Sequence, residues 1–347
     1  MLEILDPVNL NRLPQYTVLL MLGIVFSLAF MVWWMRGNIR AGRVIDVCLA
    51  GGVLGVIVAR GFHVALNWTY FSANTAEITR LRAGGLDWHG AVIGALVGMW
   101  IMSKLRGVAF RELLIPLMFV LPFMGLMGWW GCYEAFCSYG AEVDNLSNYP
   151  AWQVWEARDI FNMIEPRFRT QQIGMGLSVT LLGILVSYVV WRVYGEARQI
   201  KGDVTGYADS QLLQNPHPKS LSHKGRRTFQ PTLSPPRPLW ERGLGGEGNT
   251  KAKQDMYDLP NLLAQIINRR HQLAKDISPA IFWLSLAVFS AGMFGIGEMR
   301  GDFAEIVYGI RADQWLDIIF CVVSLNIAIV LRITRDQHEP SERELNA

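Results

Sequence analysis

The residues best suited to chemistry in this sequence lie in glycine-rich stretches that border long apolar runs. The stretch GGLDWHGAVIG, 84–94, carries Asp87 and His89 where an apolar run begins. A histidine at this point can act as a general base or a hydrogen-bond donor, although an isolated histidine is more often a packing residue. Gly84 and Gly85 leave backbone N–H groups accessible at a helix N-terminus, where an anion such as a phosphate binds well. The glycine pair therefore favours a functional role for His89.

Three further charged residues lie in or beside apolar runs. In GLMGWWGCYEAFCSYG, 125–140, Glu134 is surrounded by aromatic residues and glycines, a pattern that fits a ligand site and a helix-packing seam equally well. In GEMRGDFAEIVYGIRADQW, 297–315, Arg300 can bind a lipid phosphate bidentately or pair with a neighbouring carboxylate. Arg60 lies inside an apolar run and must therefore face protein or water.

The apolar runs themselves predict the fold class. Of the 347 residues, 51% are hydrophobic and only 18% are charged, whereas an average soluble domain is roughly 25% charged. Several uncharged stretches approach the roughly 20 residues that a helix needs to cross a bilayer. We therefore predict an all-α, polytopic integral membrane protein with about seven transmembrane helices, over 16–35, 44–66, 89–104, 112–136, 172–194, 278–297 and 314–332.

The loop charges predict the orientation of the chain. Arginine and lysine cluster in the first and third loops and after the last apolar run, whereas the loop 137–171 is acidic. Because cytoplasmic loops carry the excess of basic residues, we predict a protein of the cell membrane with its N-terminus outside and its C-terminus in the cytoplasm.

The net charge of +3 gives no reason to expect a nucleic-acid partner. The spacing of cysteine and histidine predicts no metal site, and Cys132 and Cys137 could approach each other without spacing alone establishing a disulfide.

The same pattern divides the chain into three parts. Residues 1–195 contain helices 1–5 of the membrane domain, and 258–347 contain helices 6 and 7 after an amphipathic helical pattern at 258–276. Between them, 196–257 is rich in proline, glycine, serine and basic residues and cannot bury enough apolar surface to offset the entropy of ordering. We predict that 196–257 is a disordered cytoplasmic insertion.

The order of these motifs resembles that of the prolipoprotein diacylglyceryl transferase family. LRAGGLDWHGAVIG, 81–94, is close to the family's GG-x-x-x-HGG-x-x-G stretch. QYTVLLMLG, 15–23, resembles the start of the family's first helix and assigns its functional tyrosine to Tyr16. VARGFHVALNW, 58–68, resembles its GAR segment, and EMRGDFAEIVYGIRADQW resembles its late E-F-x-R-G-D and Q-W stretch.

The resemblance implies a membrane enzyme and assigns roles to the residues above. Such an enzyme moves the diacylglyceryl group of phosphatidylglycerol, or a similar phospholipid, onto the cysteine thiol of a preprolipoprotein signal peptide, and it uses no cofactor. On this basis His89 and Tyr16 are catalytic. The residues expected to bind lipid are Gly84, Gly85, Arg60, Glu134 and Arg300.

The sequence departs from the family pattern where arginines are expected. The family's lipid-binding signature begins G-R-x-G, but Trp129 or, in another register, Leu126 occupies the arginine position. A second expected arginine is Met293, and an expected glutamate is Gly297. Losing one donor to a developing anion commonly costs ~10²–10³ in rate. The alternative function is therefore a catalytically inactive paralogue that binds phospholipid or a lipoprotein precursor without turnover. A small transporter is a weaker alternative, because no internal repeat supports it.

Overall fold

The computed structural model describes residues 13–37, 39–81, 84–159, 161–214 and 277–338. The chain divides into two units, Met1–Ser187 with His271–Ala347, and Tyr188–Arg270. The cavity and side-chain clusters discussed below all lie in the first unit. The described part of the second unit is the helical stretch 188–214.

Eight α-helices make up most of the described chain. They are α1 (Leu13–Met35), α2 (Ala41–Leu66), α3 (Trp68–Ala73), α4 (Trp88–Arg106), α5 (Phe110–Ala135), α6 (Thr170–Gln214), α7 (Ala280–Gly297) and α8 (Ala312–His338). All except α3 and α4 are long and apolar enough to cross a membrane, which gives six candidate spans. The predicted polytopic helical membrane protein is thus confirmed. The predicted span 89–104 coincides with the 19-residue α4, which is not among the six, so the count of seven stays a prediction.

Helix α6 differs from the prediction because it continues to Gln214, through the first part of the segment expected to be disordered. Nine of the 19 residues in 196–214 are glutamate, alanine, arginine, glutamine or leucine, which favour helix. The described part of this helix extends to Gln214. The rest of the predicted insertion and the amphipathic pattern at 258–276 lie outside the described residues.

Glycines bring α2 and α4 close together. A Cβ atom added at Gly90 would lie 2.6 Å from the Val58 carbonyl oxygen, and one added at Gly98 would lie 2.6 Å from that of Ala50. A Cβ at Gly94 would overlap the carbonyl oxygen of Leu54. The small face at 90, 94 and 98 therefore packs directly on the backbone of α2, as such faces do in membrane helices. This contact places the N-terminal turn of α4 beside the last turns of α2.

A small β-hairpin follows α5 and contacts the last turn of that helix, where the rings of Tyr133 and Trp155 stack. Strands β1 (Val154–Arg158) and β2 (Ile164–Phe168) pair antiparallel, with Val154 opposite Phe168. The buried Arg167 anchors the hairpin by pairing with Asp159 at 3.0 Å and with Glu142 at 2.6 Å. A second, two-residue pair, β3 (Ile306–Val307) and β4 (Ile310–Arg311), leads into α8.

The two loop regions at this end of the bundle are joined through their backbones. Gly140 forms an isolated β-bridge with Arg300. The Ala141 N–H donates to the Met299 carbonyl at 2.8 Å, and the Gly301 N–H donates to the Tyr139 carbonyl at 2.8 Å. These hydrogen bonds fix the segment after α7 over the end of the helices.

Candidate functional site

A cavity of about 550 Å³ lies among α1, α2, α4, α5, α7 and α8. Its walls are formed mainly by apolar side chains and glycines of these helices. The charged side chains that line it come from the start of α4, the segment after α7 and the start of α8, so the charges gather at one end. Those charged residues are Asp87, Arg300, Asp302, Glu305, Arg311, Asp313 and Asp317. The size is within the usual range for ligand-binding sites.

His89 lies between two carboxylates, in what we call the carboxylate–histidine cluster (Asp87, His89 and Asp317). Its Nε2 atom is 2.9 Å from Oδ1 of Asp317, and its Nδ1 atom is 3.2 Å from Oδ1 of Asp87. The imidazole is fully buried. Its ring centroid is 4.1 Å from that of Trp88 and 5.0 Å from that of Phe320. His89 therefore has a fixed orientation and a carboxylate at each ring nitrogen.

Local structure explains why Asp87 is available to His89. Asp87 is the N-cap of α4, and its Oδ1 accepts a hydrogen bond from the Gly90 N–H at 3.0 Å. N-cap aspartates satisfy one of the free N–H groups at the start of a helix. The residue two positions later, His89, then meets the same carboxylate.

Arg300 belongs to a second cluster, the charge ring, formed by Arg300, Asp302, Asp313 and Arg311. Arg300 donates from Nε to Asp302 at 2.8 Å and from Nη1 to Asp313 at 3.0 Å, and Nη2 also pairs with Asp302. Arg311 donates to Asp313 at 3.1 Å and lies 3.5 Å from Asp302. Burial alone would lower the pKa of the Arg300 guanidinium, but the carboxylates of Asp302 and Asp313 outweigh it and raise that pKa above its usual value.

Arg60 is directed at a loop and not at the cavity. Its guanidinium donates to the carbonyls of Glu77, Ile78, Gly84 and Gly85 at 2.7–3.0 Å. Gly84 and Gly85 both have positive φ angles, +79° and +78°, which glycine adopts without strain. A Cβ atom at Gly85 would lie 2.7 Å from Arg60 Nη1. The glycine pair thus allows its carbonyls to approach Arg60, and the arginine holds the loop that precedes α4.

Tyr16 lines the cavity, whereas Glu134 does not. A Cβ atom at Gly131 of α5 would lie 2.6 Å from Cδ2 of Tyr16, so this glycine makes room for the phenol ring. Glu134 lies at a separate hollow beside the β-hairpin and accepts a hydrogen bond from the Trp130 indole at 3.4 Å. Cys132 and Cys137 form a disulfide, and Cys132 lines the cavity.

Residues found where the family pattern expects arginine also line the cavity. Trp129 is buried, and a Cβ atom at Gly174 would overlap its indole ring. Met293 lines the cavity from α7, and Gly297 contacts Gln314, whose Nε2 donates to Glu298 at 2.8 Å. Glu298, a carboxylate two residues before Arg300, is therefore hydrogen-bonded to Gln314.

Of the residues singled out in the sequence, Tyr16, Arg300 and Asp87, which is one partner of His89, line one cavity. Sequence reasoning missed Asp317, Arg311 and Asp313. Asp317 carried a usable signal, because a carboxylate inside an apolar run is costly in a membrane and asks for a reason. Arg311 and Asp313 lie in the same stretch as Arg300, 297–315, but nothing in that sequence indicates which charges pair.

The helices and the cavity together define a polytopic membrane protein with a largely apolar ligand cavity and a charged end. A family model for the prolipoprotein diacylglyceryl transferase matches residues 7–207. This match covers more than half of the chain, and the chain belongs to that family.

Curated relatives agree with this assignment. The chain is 26% identical over 132 residues to a phosphatidylglycerol–prolipoprotein diacylglyceryl transferase of Clostridioides difficile. The matched region covers 35% of this chain and 53% of that protein. The chain is 27% identical over 199 residues to the Shouchella clausii protein of the same name, which covers 52% and 71%. The identity is 37% over 92 residues with that of Fervidobacterium nodosum, which covers 26% and 31%. The chain spans about half the length of the first curated relatives that it matches.

Proposed function

We propose that this protein transfers the diacylglyceryl group of phosphatidylglycerol, or of a similar phospholipid, to the cysteine thiol of a preprolipoprotein signal peptide. The observation that carries the proposal is the 550 Å³ cavity, whose apolar walls suit acyl chains and whose charged end carries Arg300 and Asp317. A lipid headgroup at that end lies beside Tyr16 and beside Asp317, the partner of His89. Family membership and the names of the relatives support the same reaction.

The charge ring supplies the cations that such a reaction needs. Within the described chain, Arg300 and Arg311 are the arginines that line the cavity. A phosphate that enters this end competes with Asp302 and Asp313 for the two guanidinium groups, which bind phosphate and carboxylate with the same bidentate geometry. The ring therefore takes over the role that Trp129 and Met293 cannot fulfil.

The loop charges support a location in the cell membrane with the cavity's charged end facing outward. The first and third loops and the C-terminal tail carry the basic residues, whereas the acidic loop 137–171 joins α5 to α6 at the charged end. The N-terminus then lies outside and the C-terminus in the cytoplasm. In this orientation the cavity opens towards the leaflet where a translocated signal peptide presents its cysteine.

Rescue of a bacterium depleted of its own diacylglyceryl transferase tests the proposal. Cells that produce this chain should grow, and a reporter prolipoprotein should gain the mass of a diacylglyceryl group. Arg300→Ala should abolish rescue when its membrane abundance is matched to that of the wild type.

Absence of rescue by the wild-type chain at normal abundance would favour the inactive paralogue. Phospholipid binding by the purified chain separates the two functions. An inactive binder should retain phosphatidylglycerol through purification, and Arg300→Ala should weaken that binding because the phosphate contact does not depend on turnover.

A further inference from the structure

We propose that Asp317, and not His89, accepts the proton of the acceptor thiol, with His89 as the residue that positions the Asp317 carboxylate. This inference rests on the proposed function, because it assigns a step in that reaction. It is carried by the geometry of the carboxylate–histidine cluster and by the position of Asp317 in the wall of the cavity.

The imidazole of His89 is not available to a thiol. Its Nε2 atom is occupied by Asp317 at 2.9 Å and its Nδ1 atom by Asp87 at 3.2 Å. Its side chain has no exposed surface, and the rings of Trp88 and Phe320 enclose it. A thiol would have to displace one carboxylate from a closed packing arrangement before it could reach a ring nitrogen.

Asp317, in contrast, reaches the cavity. Its side chain lines the cavity although the residue is only 4% exposed. Oδ1 pairs with His89, and the described residues make no hydrogen bond to Oδ2. A carboxylate oxygen is an acceptor with two lone pairs, so Oδ2 is free to accept a proton from a group in the cavity.

Asp87 also lines the cavity but its carboxylate is already used. Its Oδ1 caps α4 through the Gly90 N–H, and both of its oxygens lie within 3.3 Å of His89 Nδ1. Protonation of Asp87 would weaken the cap and the contact with the histidine together. Asp317 carries no such capping bond, since it lies in the second turn of α8.

The charges around Asp317 prepare it for this role. His89 of α4 contacts it directly, Asp87 lies across the imidazole, and Asp313 and Arg300 interact with it electrostatically. An imidazolium has a proton on each ring nitrogen and donates to both carboxylates, whereas a neutral ring donates to only one. His89 thus holds the Asp317 carboxylate in place through Oδ1 and leaves Oδ2 without a hydrogen-bond partner among the described residues.

The reaction step is balanced without any further reagent. The sulfur forms a bond to the glycerol carbon of the diacylglyceryl group as the bond between that carbon and the phosphate oxygen breaks. The bonding electrons leave with glycerol phosphate, next to the charge ring. The S–H proton passes to Oδ2 of Asp317 and is later released to the departing phosphate or to water.

A comparison of thiol and selenol acceptors tests this step. The full-length protein is reconstituted in phosphatidylglycerol vesicles with a signal-peptide acceptor that carries cysteine or selenocysteine at the modified position. A selenol is ionised at neutral pH and needs no proton acceptor. Asp317→Asn should lower the rate with the cysteine peptide by about 10²–10⁴-fold, the usual contribution of general base catalysis, and should leave the rate with the selenocysteine peptide close to that of the wild type.

Two further variants distinguish loss of the proton acceptor from a folding defect. Asp317→Glu retains a carboxylate. The ratio of its rates with the cysteine and selenocysteine peptides should therefore be closer to the wild-type ratio than the ratio measured for Asp317→Asn. Asp46→Asn removes a carboxylate that pairs with Arg106 at 2.7 Å, away from the cavity, and should change neither rate.

The outcomes separate this inference from the proposed function. Equal losses with both peptides in Asp317→Asn, together with an equally impaired Asp317→Glu, would give Asp317 a structural role and overturn the inference while the function stands. A wild-type protein that modifies neither peptide would overturn the proposed function itself. Selective loss with the cysteine peptide supports the assignment of Asp317 as the proton acceptor.

Discussion

The two charged clusters that line the cavity differ in their balance of charge. The charge ring pairs two arginines with two aspartates, and every one of its members has at least one partner of opposite sign within 3.5 Å. The carboxylate–histidine cluster sets two carboxylates against a single imidazole. Both clusters lie at the same end of the same cavity.

This difference indicates a division of labour. A balanced group of buried charges holds its members in one geometry, and breaking it by removing one partner is costly. A group with an excess carboxylate retains an unused acceptor, which is the property expected of a residue that takes part in proton transfer. Under the proposed function, the ring positions anionic groups and the carboxylate–histidine cluster transfers protons.

Removing a cation from the charge ring should have the largest effect on stability. In Arg300→Ala, Asp302 and Asp313 lose their main partner in a partly buried site, and we expect a loss of about 3–5 kcal/mol in the free energy of unfolding. Thermal unfolding in detergent measures it. Arg300→Lys keeps the charge without the bidentate geometry, and its free energy of unfolding should lie between those of the wild type and Arg300→Ala. A loss below about 1 kcal/mol would show that the ring behaves like an exposed surface pair.

Replacing His89 should have a smaller effect, because the carboxylates that remain can take up protons. We expect His89→Gln to lose about 2–3 kcal/mol. In the double variant His89→Gln/Asp317→Asn, the excess carboxylate is also removed. The double variant should therefore be more stable than the sum of the two single changes predicts, with a coupling energy of about 0.5–3 kcal/mol. Simple additivity would contradict the direct contact between the two residues.

The position of His89 depends on helix packing, which a third substitution tests. In Gly94→Ala, the new methyl group overlaps the Leu54 carbonyl and pushes α4 away from α2, at a cost of about 1–2 kcal/mol. Activity should fall as well, because His89 and Asp317 separate. Gly61→Ala on α2 is the matched control, since its added Cβ would meet no atom within 4 Å and Gly61 does not line the cavity. Equal behaviour of the two variants would contradict the close helix contact.

Much of this fold follows from local sequence. The apolar runs predicted the six helices that can cross a membrane, and the glycines at 90, 94 and 98 correctly indicated a close packing face. Asp87 and Gly90 lie within one turn, so the start of α4 could also be inferred. These features depend on neighbours along the chain or on helical periodicity.

The partners within the site could not be inferred in the same way. His89 and Asp317 are 228 residues apart, and their contact depends on how α4 and α8 pack. The role of Arg60 depends on the carbonyls of a loop whose glycines have positive φ angles, and such angles are not readable from an isolated glycine pair. A loop arginine and a lipid-binding arginine have the same sequence signature, so only the direction of the side chain distinguishes them.

The smallest effect is expected for the Asp46–Arg106 pair, which provides an exposed reference for the two cavity clusters. These side chains join α2 to the end of α4 at 2.7 Å, but they are 37% and 50% exposed. Water and salt screen exposed pairs, and holding two long side chains in place costs entropy, so such pairs contribute about 0–1 kcal/mol. A double-mutant cycle with Asp46→Asn and Arg106→Gln should therefore give a coupling energy below about 1 kcal/mol, and one that decreases further at high salt. A coupling as large as that between His89 and Asp317 would mean that burial does not distinguish the cavity clusters from the surface, and the division of labour between the clusters would lose its physical basis.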